Sequence, residues 1–146
     1  MKRVFKGMAA GAVTGLLVLL PVTESQAAVS HLKSDSGKSY KGCKNSVVMW
    51  RDGGKMFAYS KLTCSKRQAV VRASVALSGE NGKTFTKSLD GCKLAKTCTS
   101  KTISLKGKKN WTFRASGDGT ASGPDWSEGD LSWPTSSVAH VSYKYA

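Results

Sequence analysis

The chain of 146 residues carries 23 Lys and Arg against 9 Asp and Glu, is 40% hydrophobic, and holds 15 Gly, 3 Pro and 4 Cys. That length confines it to one small domain and excludes a large enzyme. A net charge of +14 directs attention to polyanions and acidic protein surfaces as partners.

Residues 1–27 read as a secretory signal peptide. Lys2, Arg3 and Lys6 precede an apolar run over 8–20, Pro21 follows, and Ser25 and Ala27 are the small residues before a cleavage site. The run is shorter than the roughly 20 residues a membrane span needs, so the rest of the chain is expected to be secreted and extracellular, with an uncleaved anchor as the alternative. Residues 28–42 mix Ser, Lys and Gly with scattered apolar side chains and no alternation. They are expected to form a flexible N-terminal arm that orders on a partner, or a disordered leader. Within the arm Val29, His31 and Leu32 can anchor, while Lys33, Lys38 and Lys41 can steer toward an acidic surface.

A single β domain is expected over 43–146. Its first element is a hairpin: β-prone runs over 45–52 and 55–62 flank Gly53-Gly54, a pair that tolerates the positive φ angles of a two-residue turn. Counting outward from that turn sets Asp52 opposite Lys55 and, nine steps on, Cys43 opposite Cys64, at a position where the two Cα atoms come close. Disulfide geometry accepts this spacing, which leaves Cys92 to pair with Cys98 around a short loop. Two disulfides suit an exported chain of this size. A zinc site is the competing reading of four cysteines, and no C-x2-C pair supports it.

Residues 68–77 and 83–89 read as a second hairpin around Asn81-Gly82, and residues 99–106 and 111–115 as a third around 107–110. In the third, alternation places Ile103, Leu105, Trp111 and Phe113 on one inward face. Residues 116–134 read as a long loop rich in Gly and Pro that carries Trp126 and Trp133, either as caps on one end of the domain or as an exposed recognition patch. The last strand, over 136–145, turns Ala139, Val141, Tyr143 and Tyr145 inward and His140 outward. About seven strands without helical periodicity describe an all-β fold. The expected architecture is a disulfide-stapled antiparallel β-sandwich, immunoglobulin-like or Greek key, with a distorted barrel as the alternative.

Chemistry is sparse. His31 and His140 are the only histidines; His140 with Glu128 is a poor imitation of a ribonuclease acid and base, because no phosphate-binding turn accompanies it. Asp118, Asp125, Glu128 and Asp130 could offer oxygens to calcium, but not at EF-hand spacing. No enzyme, cofactor, metal or specific nucleic-acid partner is expected. From Lys33 to Arg114 the chain has 19 basic and 4 acidic residues, a pattern that serves either docking or solubility.

The leader ending Ser25-Gln26-Ala27, the short arm before Cys43, the pairs Cys43/Cys64 and Cys92/Cys98, and the Gly/Ser/Trp stretch up to Trp133 carry a resemblance. In this layout the chain resembles the small disulfide-stapled β proteins exported by Streptomyces and related actinobacteria. Within them it is similar to the adaptor subunits of umbrella toxin particles. The resemblance implies an all-β fold, no catalysis, and exported protein partners on two surfaces. Cationic antimicrobial proteins and small proteinase inhibitors of the same organisms share the layout and are the alternative.

Overall fold

The computed structural model describes residues 30–123, 133, 134 and 138–146. The signal-peptide reading of 1–27 lies outside them. So do Val29 and Trp126. The described chain is all-β, with strands β1 (Ser30–Ser36), β2 (Cys43–Asp52), β3 (Lys55–Gly79), β4 (Thr84–Thr99), β5 (Ile103–Lys106), β6 (Thr112–Ser122), β7 (Trp133–Pro134) and β8 (Ala139–Lys144). These make one connected antiparallel sheet, with a single 3-10 turn at Glu80–Gly82 between β3 and β4.

The first hairpin forms in the register read from its turn. Gly53 and Gly54 take φ of 49° and 77°, and pairing runs without a slip from Asp52/Lys55 to Cys43/Cys64. The Cys43 and Cys64 Cα atoms stand 3.9 Å apart and the disulfide is made. Cys92 and Cys98 form the second bridge, so all four sulfurs are used and the zinc alternative falls. The second hairpin also forms, with Gly79 opposite Thr84 and pairing that continues to Gln68/Ala95.

Two expected strands, over 55–62 and 68–77, are one bent strand. No Gly or Pro lies between Lys61 and Ser78 to end β3. A bulge between Thr63 and Gln68 turns it instead: Ser65, Lys66 and Arg67 are exposed, then Gln68 and Ala69 are buried in succession, which shifts the pleat. The two halves fold onto each other until the Ser60 hydroxyl donates to the Ser74 carbonyl at 2.6 Å. Ser100 secures the fold, exchanging bonds with the Ser60 backbone through its own N–H and its hydroxyl, each at 2.9 Å.

The core lies inside this roll. Val47, Met49, Met56 and Ala58 from the first half meet Val75, Leu77, Phe113, Ala115, Ala139 and Val141 from the second. A second cluster gathers Leu62, Val71, Ala73 and Ala121 around Cys43, Cys64 and Cys98. The inward face expected of the last strand is observed, with Ala139, Val141 and Tyr145 buried and His140 exposed.

Three expectations need correction. Residues 30–36 of the expected arm form β1, paired with β2 from Ser30/Arg51 to Ser36/Ser46, because β2 offers an open edge beside them. The third hairpin does not form. β5 pairs with Lys55–Ala58 of β3 and β6 with Val70–Ser78 of β3, while Ile103, Leu105 and Trp111 still pack on the same core as Phe113. Main-chain bonds from Gly107 to Gly54 and from Asn110 to Tyr145 carry the 107–111 link across one end of the roll. The long loop is also shorter than expected, since β6 runs on to Ser122. Gly117 there serves packing: a Cβ on it would lie 3.0 Å from Ser46 O, Val47 Cβ and Ser60 Cβ.

Candidate protein-binding surface

Pairing puts residues of four strands in rows on the outer face of the second half of the roll. Phe85, Ser78, Arg114 and Ser142 make one row, and Lys87, Ala76, Ser116 and His140 the next. The small side chains in the middle leave an open trough of about 540 Å³ walled by Phe85 and floored by Ala76, Ser78 and Ser116. Leu89 follows in the third row, opposite Ser74.

β4 forms the border of this face, and its apolar side chains are out of place. Phe85 is 58% exposed, Leu89 65% and Leu94 66%. Lys83, Lys87, Lys93 and Lys96 surround them and are exposed as well. Opposite Gly91 stands Arg72, its Cγ 3.6 Å from where a Cβ would lie on Gly91, which adds a cation to the same face. The one β4 carboxylate lies on the opposite face: Asp90 pairs with the buried Ala73. It accepts from Lys101 N–H at 2.8 Å and Ser88 hydroxyl at 2.7 Å, and these bonds, the first above all, hold its pKa below the ordinary aspartate value.

The outward aromatics of the first hairpin have one another. On the outer face of the first hairpin Trp50 stacks on its cross-strand partner Phe57 at 5.5 Å and meets Tyr59 edge-on at 5.9 Å, so all three are half-buried. Cross-strand packing accounts for them, at about 0.2–1 kcal/mol per pair. Phe85, Leu89 and Leu94 have no comparable cover among the described residues.

The residues expected to bind a partner are spread out. His31 and Leu32 lie on β1, Lys33 is exposed on the same strand, and Lys38 and Lys41 are exposed in the link to β2. Lys41 lies 5.9 Å from the Tyr40 ring centroid. Trp133 belongs to β7, paired with Ala121 at the far end of β6. Among the acidic-loop residues, Asp118 accepts from the Gly119 N–H at 2.6 Å; Asp125, Glu128 and Asp130 lie outside the described residues. His140 uses its main-chain N–H to bind Asp35 Oδ2 at 2.8 Å, fastening β1 to β8 and lowering the Asp35 pKa, with help from the Ser36 N–H. The β4 surface was missed because its signal, apolar residues alternating with Lys over 83–89, is also the pattern of a strand with one buried face.

Comparison with protein-family models, with curated proteins and with solved structures finds no match to this chain. Two disulfides fit an oxidising compartment, and among the described residues no helix is long and apolar enough to cross a membrane.

Proposed function

We propose that this chain is a secreted, noncatalytic protein-binding module that works without a cofactor, as an adaptor connecting subunits of an exported toxin particle. The observation that carries this reading is the set of three large apolar side chains, Phe85, Leu89 and Leu94, exposed on one strand amid lysines. Exposed apolar groups inside a charged rim are what a protein interface offers before its partner covers them. Two further contacts belong to the proposal. One is the segment with Val29, His31, Leu32, Lys33, Lys38 and Lys41; the other is Trp126 with Trp133. In architecture, the single rolled sheet supports the distorted barrel over the immunoglobulin-like or Greek-key sandwich.

Affinity purification of the tagged chain from culture medium tests the function. Larger exported proteins should be recovered in a fixed ratio to the bait. Bait alone, with growth inhibition by the pure protein, would replace the adaptor with a cationic antimicrobial protein, a reading that the excess of 19 basic over 4 acidic residues from Lys33 to Arg114 favours. A tight complex with a protease would make it an inhibitor.

A further inference from the structure

β4 pairs with β3 along one edge. Over 84–95 no strand pairs with its other edge among the described residues, and no loop supplies main-chain bonds there. Such an edge presents a row of N–H and C=O groups that an extended chain can join, with pockets for alternate side chains. Strands usually run about 5–6 residues, so this edge is long.

We propose that the free edge of β4 receives an extended acidic segment of a partner protein as an added strand. The proposal rests on the protein-binding reading above and names the chemistry of the partner. Charge selects the occupant. Along the edge Lys87 and Lys93 stand on the outer face, with Arg72 on the neighbouring strand opposite Gly91, and Asp90 is turned to the other face and engaged. A second copy of this chain would bring lysine to lysine between bodies that are each strongly basic, with 19 basic and 4 acidic residues from Lys33 to Arg114. An acidic strand meets the lysines instead: along the side of it that shares the outer face, every second residue, carboxylates opposite Lys87 and Lys93 take turns with an apolar residue beside Phe85 or Leu89. Main-chain bonds then supply affinity, and the alternation Phe85, Lys87, Leu89 supplies register.

The test uses the full oxidised chain, isotope-labelled, titrated with the capped eight-residue peptide Val-Thr-Glu-Thr-Val-Thr-Glu-Thr, whose valines and glutamates share one face of a strand, and with its counterpart that has lysine for glutamate. Amide shifts confined to β4 and its β3 neighbours are expected with the glutamate peptide alone, weakening as salt rises. The K87E/K93E variant should bind at least tenfold more weakly while its remaining amide spectrum is unchanged, which reports an intact fold. If that spectrum is altered, K87S/K93S takes its place. Shifts centred on β1 or β7, an equal response to both peptides, no response at millimolar peptide, or self-association through β4 in sedimentation each overturn the proposal. Failure here is distinct from failure of the function. If exported partners copurify equally with K87E/K93E, the edge proposal falls and the adaptor reading stands. If the peptide binds β4 and nothing copurifies, the reverse holds.

Discussion

At Gly119 an added methyl group would run into the Arg72 carbonyl, with Leu62 Cδ2 at 3.0 Å and Asn45 Oδ1 at 3.2 Å. The obstacle is backbone and cannot swing aside, so Gly119→Ala should lower stability by about 1–3 kcal/mol in urea unfolding. An unchanged midpoint would show that β6 can move away from β3 at little cost. Asp35 makes a different kind of contact, through a carboxylate at the surface. Its pKa is depressed in the folded chain by the His140 and Ser36 N–H groups, so the contact is complete above the ordinary aspartate range and is lost as pH falls through the lowered value. Asp90 follows the same sign through the Lys101 N–H and the Ser88 hydroxyl. In a pH titration by NMR the His140 and Lys101 amide protons should therefore shift with midpoints below that of a free aspartate. Asp35→Asn should abolish the shift at His140 and leave that at Lys101. A midpoint at the ordinary value for either amide would mean that its hydrogen bond is not populated in solution.

The two disulfides act on elements of different reach. Cys43–Cys64 ties the open end of the first hairpin across 21 residues within the second core cluster, whereas Cys92–Cys98 spans 6 residues of β4. Replacing the first pair by alanine should cost about 3 kcal/mol, and replacing the second roughly 1 kcal/mol less, because the shorter loop loses less entropy when it closes. Denaturant titration of the two double variants gives the order, and a reversal would place the decisive strain in β4. The first pair was legible in the sequence because a Gly-Gly turn and nine uninterrupted steps are local information. β1 was not legible. Its seven residues, Ser-His-Leu-Lys-Ser-Asp-Ser, carry no alternation, and its place is set by the open edge of β2 and by Asp35 reaching a strand 105 residues away. β6 was misread for a related reason. Gly117 and Gly119 look like loop glycines, yet each marks a point where another strand passes too close for a side chain. The candidate site was half legible: the second hairpin put Phe85 and Leu89 on β4, but an alternating strand does not say which of its faces the body will cover.

For the molecule as a whole, β3 is the common member, pairing with β2, β4, β5 and β6. Once β3 is disordered, β4 and β5 lose every strand partner they have among the described residues, β2 keeps only β1, and β6 keeps only β7 and β8, so both halves lose core residues that β3 supplies. Unfolding of the oxidised chain should therefore be a single transition, with far-UV and near-UV signals that coincide. Separate midpoints would mean that the two halves of the roll melt independently. Folding should be slow for the chain's size, on the order of milliseconds to seconds, because pairings such as β6 with β3 and the meeting of β1 with β8 join distant positions. The roll itself was beyond a sequence reading, since alternation identifies strands and says nothing of whether two hairpins share one that bends between them. The closing seam has a mechanical meaning. Ser30 pairs with Arg51, whose guanidinium lies 4.0 Å from the Tyr145 ring centroid, so β1 begins and β8 ends at the same pole of the roll. Force drawn through both of those ends peels β1 from β8 one contact at a time, beginning at Arg51 and reaching the Asp35–His140 bond afterwards. A load taken between β4 and either end meets the long β3 pairings together. In pulling experiments the first geometry should yield at much lower force than the second, so in the adaptor role proposed above a grip at β4 would load the tougher axis.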